Sequence, residues 1–541
     1  MKKIILFFVA VGITGSIMAG GLVTNTNHSA AFTRMQCRDA TLGVDAAYFN
    51  PAGLTKLSTG FHFSISNQTI SQTRLIETNF PLLSTYPNPK TYEGNVFAPI
   101  FPAVYGVLNL GKVAVSAGFN PIGGGGGATF EEGVPQIEYN PSLLVPALVD
   151  AGVTGYELEA SFEATSVYFG YQLNVTYKIN DMLSVAVGGR YVTAKNTYNG
   201  YLRNVNLNFG GTMTPVAGVF TSLSDNFTAI AGTGPTLQPI IEGGGGGFTL
   251  QQVLDAGLID ASTKAQLEAG LAVIGVSDPS LLTMIQIQGT FDAAAPTMLT
   301  QAAEMDAKST LYGALMNQEA IVTQTASGFA PIFSVNFSPI EMLNIAVKYE
   351  GRTKLEFTND TESDFITEVD ATGTPTASMF PDGYKYNADI PAQLVVGAML
   401  TPTGKVMISG GIHYFFDKAV DYSSGMDIEM IDKNFVSYAL GVEYGLSDAL
   451  KVSVGYGGTS TGVNELYQSD IRHSLNTSSF AAGFGLSITP MIEINVGGSY
   501  TMYTDESYEY SKAVSPILTI PYTENYDRSV WLVGVGVDLH F

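Results

Sequence analysis

The final stretch of the chain, residues 528–541, alternates strictly between two kinds of side chain. Every second residue is large and apolar: Trp531, Val533, Val535, Val537, Leu539 and Phe541. The residues between them are mostly small or polar: Leu532, Gly534, Gly536, Asp538 and His540. Because successive side chains of a strand point to opposite faces, the pattern predicts a strand with one apolar face and one crowded or wet face.

The same alternation recurs upstream and predicts fourteen strands in all. They lie near residues 60–72, 96–109, 111–122, 164–179, 183–202, 327–338, 343–358, 389–401, 405–420, 434–447, 450–462, 478–489, 491–503 and 528–541. The connections alternate between tight turns, such as Asn180-Asp181, and long loops. An even strand count with short turns at one end and long loops at the other is typical of a transmembrane barrel. A soluble sandwich would carry polar outward faces, whereas these carry Val, Ile, Tyr and Phe. We therefore predict an all-β fold, a fourteen-stranded antiparallel transmembrane β-barrel spanning residues 59–541.

Residues 20–58 lack sustained alternation and precede the first predicted strand. A barrel of fourteen strands is wider than the filled eight-stranded barrels, so its lumen would leak unless something occupied it. We expect residues 20–58 to form an N-terminal plug inside the lumen. The motif Asn50-Pro51-Ala52 is a candidate plug turn that contacts the wall, because Asn favours turns and Pro fixes φ. An ordinary turn before the first strand is the alternative.

The longest interruption, at about residues 203–326, is predicted to be a partly helical extracellular loop. Apolar residues at spacings of three to four predict helices over Thr249–Leu271 and Ala293–Gln324. These helices would line an outer apolar groove or form a lid that packs on itself. A glycine run follows the third strand, and Gly123, Gly124 and Gly125 are a candidate wall gap because glycine weakens strand pairing. A flexible loop start is the alternative.

The first residues, Met1–Ala19, have the features of a secretory signal peptide. Lys2 and Lys3 form a basic start, Ile4–Ile13 is apolar, and Ala19-Gly20 offers a small-residue exit. No later run of roughly 18 apolar residues is long enough for a transmembrane helix. An exported chain that crosses lipid without helices is expected in the bacterial outer membrane, as a barrel.

Charge and rare residues narrow the function further. The chain has 25 Lys+Arg against 48 Asp+Glu, and this acidic balance argues against a nucleic-acid partner. The single Cys37 excludes an intramolecular disulfide, and the five histidines show no metal-binding spacing. We expect no metal, no cofactor and no enzymatic activity, although a barrel hydrolase stays open. Acidic residues near 360–370 would be solvated, or would bridge divalent cations to outer-membrane lipid and lipopolysaccharide.

Three stretches resemble the FadL family of outer-membrane long-chain fatty-acid transporters: Gly20–Asn25 through Asn50–Leu54, Gly328–Phe357 and Asp389–Ala392. The resemblance implies a monomeric fourteen-stranded barrel with a plug, which the barrel-assembly machinery inserts and which takes up hydrophobic molecules. It also implies an apolar groove among the outer loops, a lumen site beside the plug, and a sideways exit near the third strand. The long third loop and the glycine runs depart from the family.

A fatty acid needs an apolar slot for its tail and a cation for its carboxylate. The resemblance places a basic ligand contact at Arg352, and side-chain parity puts Lys348 on the same face of its strand. Arg190 points inward on the fifth strand and is the other candidate. The alternative is an inward salt-bridge network or a plug contact. Uptake of aromatic hydrocarbons and a structural or adhesive barrel with partner-binding loops stay open as functions.

Overall fold

The computed structural model describes residues 24–25, 27–83, 88–369, 374–420, 428–470, 472–515 and 518–541. The predicted signal peptide, residues 1–19, lies outside this range. Over the described residues, no helix combines the length and the apolar character needed to cross a membrane.

Fourteen long antiparallel strands form a closed barrel, as the alternation predicts. They are β1 (Gly60–Thr78), β2 (Lys90–Asn109), β3 (Val113–Phe130), β4 (Val153–Lys178), β5 (Leu183–Phe209), β6 (Gln318–Ile340), β7 (Leu343–Glu350), β8 (Gln393–Thr403), β9 (Val406–Phe415), β10 (Val436–Gly445), β11 (Leu450–Ser460), β12 (Thr477–Thr489), β13 (Ile492–Tyr503) and β14 (Leu518–His540). Each strand pairs with the next, and β14 returns to pair with β1, with Leu539 opposite Phe63. The predicted all-β barrel and its strand count are confirmed.

The two ends of the barrel differ in the length of their connections. Short turns, such as residues 110–112 and 490–491, and the terminal Phe541 lie at one end, which we call the turn end. The long connections lie at the other end, the loop end. There the sheet gains four short strands: Thr212–Pro215, Glu356–Ser363, Lys385–Asn387 and Glu506–Ser515. A separate hairpin joins Ile366–Val369 to Pro375–Ser378.

Several strands reach further towards the loop end than predicted. The strand β6 begins at Gln318, opposite Leu202, so residues 318–324 are strand and not the predicted helix. The glycine run 123–127 lies within β3 and not at a loop start. By contrast, the predicted strand 343–358 ends at Glu350, because the chain turns at Gly351 and residues 356–363 pair with β6 instead.

The helices are α1 (Ala30–Met35), α2 (Ala46–Phe49), α3 (Pro135–Ala147), α4 (Val216–Thr236), α5 (Gln238–Glu242), α6 (Leu250–Asp255), α7 (Ala261–Val273) and α8 (Met284–Leu315). The predicted helix Thr249–Leu271 is two helices, because Gly257 adopts a φ of 68° between them. The helices α3 and α4 were not predicted, since their many Gly, Thr, Ser and Pro residues obscure the helical period. Apolar residues of α6, α7 and α8, including Val253, Leu271 and Phe291, pack together in their own core.

Candidate functional site

Residues 24–58, here called the N-terminal segment, contact strands all round the barrel. The side chain of Asn50 donates to Asn336 Oδ1 of β6 at 2.7 Å. Arg34 Nε donates to Asn495 Oδ1 of β13 at 2.9 Å, and Gln68 of β1 donates to the Asn27 carbonyl at 2.8 Å. A segment that reaches strands on different sides of a closed ring lies inside it. The described part of this segment therefore occupies the lumen.

The helix α1 and the residues that follow it pack against a surface formed by inward-facing glycines of the wall. The inward positions of seven consecutive strands contribute Gly397, Gly411, Gly441, Gly455, Gly483, Gly497, Gly534 and Gly536. A Cβ at Gly455 would overlap the Met35 carbonyl, and one at Gly497 would lie 2.5 Å from the Arg34 nitrogen. The backbone of the N-terminal segment approaches the wall so closely that a larger residue does not fit.

The motif Asn50-Pro51-Ala52 lies where α2 meets a 3-10 helix, Pro51–Lys56. Thr176 of β4 donates to the Pro51 carbonyl at 2.7 Å, and Ser184 of β5 donates to the Ala52 carbonyl at 2.6 Å. The motif is buried and hydrogen-bonds neighbouring strands of the wall. Polar inward side chains thus satisfy the backbone carbonyls that this irregular turn leaves unpaired.

Arg190 and Lys348 lie together beneath Tyr48 of the N-terminal segment. Arg190 ion-pairs with Glu350 and donates to Gln172 Oε1 at 2.6 Å. Its guanidinium lies 4.7 Å from the Tyr48 ring centroid. Lys348 Nζ lies 4.5 Å from the same centroid and donates to the Tyr48 carbonyl at 3.1 Å. Both cations are buried, and protein groups satisfy them.

Arg352 does not join this cluster. It follows the end of β7, where its guanidinium lies 3.3 Å from Asp389 Oδ2 and donates to the Ala419 carbonyl at 3.0 Å. Its side chain is 34% exposed. The structure therefore places the three predicted ligand contacts at two locations, and their role in ligand binding stays a prediction.

The wall is open between β2 and β3. These strands pair up to Asn95 opposite Thr129 and resume only at Val104 opposite Phe119. The glycine run lies in this unpaired part of β3, which includes Gly125, and Gly124 adopts a φ of 79° beside two register shifts against β4. From inside, the Asn25 nitrogen donates to the Ile122 carbonyl at 2.9 Å. The start of the described N-terminal segment thus lies across the opening.

A cavity of about 430 Å³ lies between the N-terminal segment and this opening. Its apolar lining includes Phe32, Val96, Ile100, Phe119, Phe169 and Leu532. Its polar lining includes Gln36, Gln72, His413, Ser479 and Thr501. Strand alternation predicts whether each of these residues points inward or outward. It does not predict which part of the lumen the N-terminal segment leaves empty. Sequence reasoning therefore missed the cavity.

Burial perturbs several titratable groups of the N-terminal segment. Burial, followed by the nearby Arg190, lowers the pKa of His28 well below its usual value of 6.5. Burial and the neighbouring Asp39 raise the pKa of the Cys37 thiol to about 12. Burial opposes ionisation of Asp45, yet its two hydrogen bonds from Arg38, both 2.8 Å, lower its pKa below 3.8. Among the described side chains, no group of His, Cys, Asp and Glu is placed to hold a metal ion.

No family model matches the chain, and no curated protein matches it. Solved structures do. A FadL homologue of Pseudomonas aeruginosa is 10% identical, with 97% of this chain and 99% of that chain covered and a TM-score of 0.53. The Pseudomonas putida toluene transporter TodX is 11% identical, with coverage of 99% and 98% and a TM-score of 0.49. The Ralstonia pickettii toluene transporter TbuX is 12% identical, with coverage of 98% and 97% and a TM-score of 0.45.

Identities this low show the fold alone. The resemblance to the FadL family is therefore confirmed at the level of fold, since the chain folds as a fourteen-stranded barrel similar to that of the Pseudomonas aeruginosa FadL homologue.

Proposed function

We propose that this chain is a passive transport protein for hydrophobic molecules in the bacterial outer membrane. The observation that carries the proposal is the unpaired stretch between β2 and β3, which opens beside an apolar cavity in the barrel. An opening in the wall of a membrane barrel faces lipid and not water. Such an opening suits a molecule that leaves the lumen sideways into the bilayer.

In this proposal the N-terminal segment is the plug. It fills the lumen beside the cavity, so water and ions do not flow, and a ligand would enter from the loop end. The contact between Asn25 and Ile122 lies at the opening, so movement of the plug there would connect the cavity to the lipid. Gly123, Gly124 and Gly125 would serve this exit, because the run lacks side chains that would obstruct it.

The proposed ligands are long-chain fatty acids or similar amphiphiles. The cavity is within the range of about 300–1,000 Å³ that is common for small-molecule sites, and its lining is mainly apolar with a few polar groups. Aromatic hydrocarbons would fit the same lining but need no polar contact. In this proposal the protein is a monomer. The barrel-assembly machinery inserts it, and outer-membrane lipid and lipopolysaccharide surround it.

The test is uptake of labelled oleate and labelled toluene by cells that lack their own transporter, with and without this protein. Ala98→Trp would place a bulky ring at the opening and is expected to reduce uptake of both. Val454→Trp, at an outward position on β11, is the matched control and is expected to leave uptake unchanged. If the wild-type protein increases the uptake of neither compound, the transport proposal is wrong.

The predicted ligand contacts have their own test in the same assay. Arg352→Ala and Arg190→Ala are expected to slow oleate uptake more than toluene uptake if these side chains hold a carboxylate. Deletion of residues 20–30 is expected to raise ion conductance, because it removes part of the plug that fills the lumen. An unchanged oleate rate for both variants would mean that the carboxylate is held elsewhere.

A further inference from the structure

Two buried arginines face each other near the loop end of the barrel. Arg74 of β1 and Arg528 of β14 are register partners in the antiparallel ladder. They are 3% and 2% exposed. The guanidinium of Arg528 lies 4.9 Å from the Tyr503 ring centroid. Like charges directly opposite each other on one face of a sheet repel, so this pair costs stability unless something compensates it.

The described residues supply no compensating carboxylate. None of the ion pairs among them includes Arg74 or Arg528. Arg74 Nε and Nη2 and Arg528 Nε and Nη1 have no hydrogen-bond acceptor. Arg528 Nη2 donates only to the carbonyl of His473, at 3.3 Å. By contrast, Arg34, Arg38 and Arg190 are also buried, and each pairs with a carboxylate.

The arginine pair lies just beyond the cavity, towards the loop end, next to residues that line it. Gln72 and Val530, one inward position nearer the turn end, line the cavity. Tyr503, whose ring lies against the Arg528 guanidinium, lines the cavity as well. The amide nitrogen of Gln72 also lacks an acceptor. A group of unsatisfied donors therefore marks one end of an apolar chamber.

Beyond the arginines, the site is closed by the loop that carries His473. The His473 ring stacks on Tyr526, with centroids 4.8 Å apart. Burial lowers the pKa of His473 well below 6.5, and Arg528 and Arg74 lower it further, so the imidazole is neutral at neutral pH. The positive charge of the site therefore comes from the two guanidiniums alone.

We propose that Arg74 and Arg528 bind the carboxylate head group of an amphiphilic ligand whose hydrocarbon tail lies in the cavity. The inference rests on the proposed function and narrows its substrate class to anionic amphiphiles. A planar guanidinium matches a carboxylate with two parallel hydrogen bonds, and two of them would surround it. A free inorganic oxyanion offers the same head-group chemistry but leaves the apolar chamber empty.

The first test measures binding to the protein in nanodiscs of zwitterionic phosphatidylcholine. The probes are oleate and oleyl alcohol, which share a tail and differ in the carboxylate. The wild-type protein is expected to bind oleate about tenfold or more tightly than the alcohol, as charge-assisted hydrogen bonds imply. The double variant R74Q/R528Q is expected to lose that preference while it binds the alcohol as before. R203Q is the control, since Arg203 is exposed and pairs with Glu159.

The second test measures thermal unfolding without ligand. Because R74Q/R528Q removes two unpaired buried charges and R528Q removes one, both variants are expected to unfold at a higher temperature than the wild type. Oleate is expected to raise the unfolding temperature of the wild type and not that of the double variant. A lower unfolding temperature for both variants would show that the arginines stabilise the fold, and it would overturn the proposal.

The outcomes separate this inference from the proposed function. If the wild type binds both probes and R74Q/R528Q retains the preference for oleate, the head-group site is wrong and the transport proposal stands. If the wild type binds neither probe, the proposed function fails as well. Sodium acetate and sodium sulfate at the oleate concentration are expected to leave the unfolding temperature of the wild type unchanged. Equal stabilisation by either salt would assign the arginines to a free oxyanion and overturn the amphiphile assignment.

Discussion

At the scale of single residues, the charges inside this barrel fall into two groups. One group, with Arg34, Arg38 and Arg190, pairs with carboxylates, and the Arg34–Glu443 pair joins the N-terminal segment to β10. The other, Arg74 and Arg528, has no such partner among the described residues. Because a buried charge must be compensated, carboxylates compensate the first group, and in our proposal the head group of the ligand compensates the second.

Cys37 reports on the position of the N-terminal segment. It is buried, and its thiol pKa is raised to about 12, so almost no reactive thiolate exists at neutral pH. We expect the folded protein to resist maleimide at neutral pH and the urea-unfolded protein to react quickly. Mass spectrometry of the labelled chain measures both rates. Rapid labelling of the folded protein would contradict the observed burial.

Glu350 is expected to hold Arg190 beneath Tyr48. Glu350→Gln leaves a buried guanidinium unpaired, which costs about 3–5 kcal/mol in comparable sites. We expect the N-terminal segment to loosen and the labelling rate of Cys37 to rise. The double variant Arg190→Gln, Glu350→Gln removes both charges and is expected to label more slowly than Glu350→Gln alone. Equal rates for the two variants would show that the ion pair does not hold the segment.

His28 is expected to make this attachment sensitive to acid. Its folded-state pKa lies below 6.5, so the released segment binds more protons than the attached one once the pH falls below 6.5. His28 therefore does not weaken attachment above that pH and weakens it as the pH falls below it. The ratio of folded to unfolded labelling rates of Cys37 is expected to rise on acidification. His28→Gln should abolish that rise, and a rise that persists in the variant would exclude His28 as its cause.

At the scale of elements, one face of the strands meets lipid and the other meets the N-terminal segment. Large apolar residues fill the outward positions, and glycines fill the inward positions where α1 lies. The alternation in β14 serves both purposes, since Trp531 and Val533 point outward while Gly534 and Gly536 receive Thr33 and Ala30. The pairing of a closed barrel with a close-fitting internal segment depends on this division.

Gly455→Val is expected to displace the N-terminal segment, because a Cβ there would overlap the Met35 backbone. Overpacking of this kind costs about 1–3 kcal/mol or more. We expect faster labelling of Cys37 and higher ion conductance in planar bilayers. Gly410→Val is the matched control, since an added Cβ there would lie no closer than 3.8 Å to Leu440 and points outward. Similar behaviour of the two variants would mean that the glycine surface does not position α1.

At the scale of the whole molecule, the barrel carries many large apolar side chains on its outer surface, whereas a water-soluble protein buries most of them. Trp531, the only tryptophan, is 61% exposed on this outer surface. In a water-soluble protein a band of such residues would promote aggregation, whereas in a bilayer it is stabilised by lipid tails. The opening between β2 and β3 is therefore placed against lipid.

Trp531 makes this arrangement measurable, because its fluorescence comes from a single site. In liposomes we expect brominated lipid tails to quench the emission strongly and aqueous iodide to quench it weakly. Trp531→Phe supplies the blank for tyrosine emission. Strong quenching by iodide would contradict a lipid-facing outer surface.

The sequence by itself determined the fourteen strands, their two faces and the alternation of short and long connections, because those features follow from local periodicity. It also drew attention to Asn50-Pro51-Ala52, to the glycine run and to three basic residues. Only the tertiary structure decided that Arg190 and Lys348 meet under Tyr48 and that Arg352 lies apart. It likewise decided that Arg74 faces Arg528 across the join of the first and last strands. The register of distant strands sets these contacts, and no local pattern in the chain encodes it.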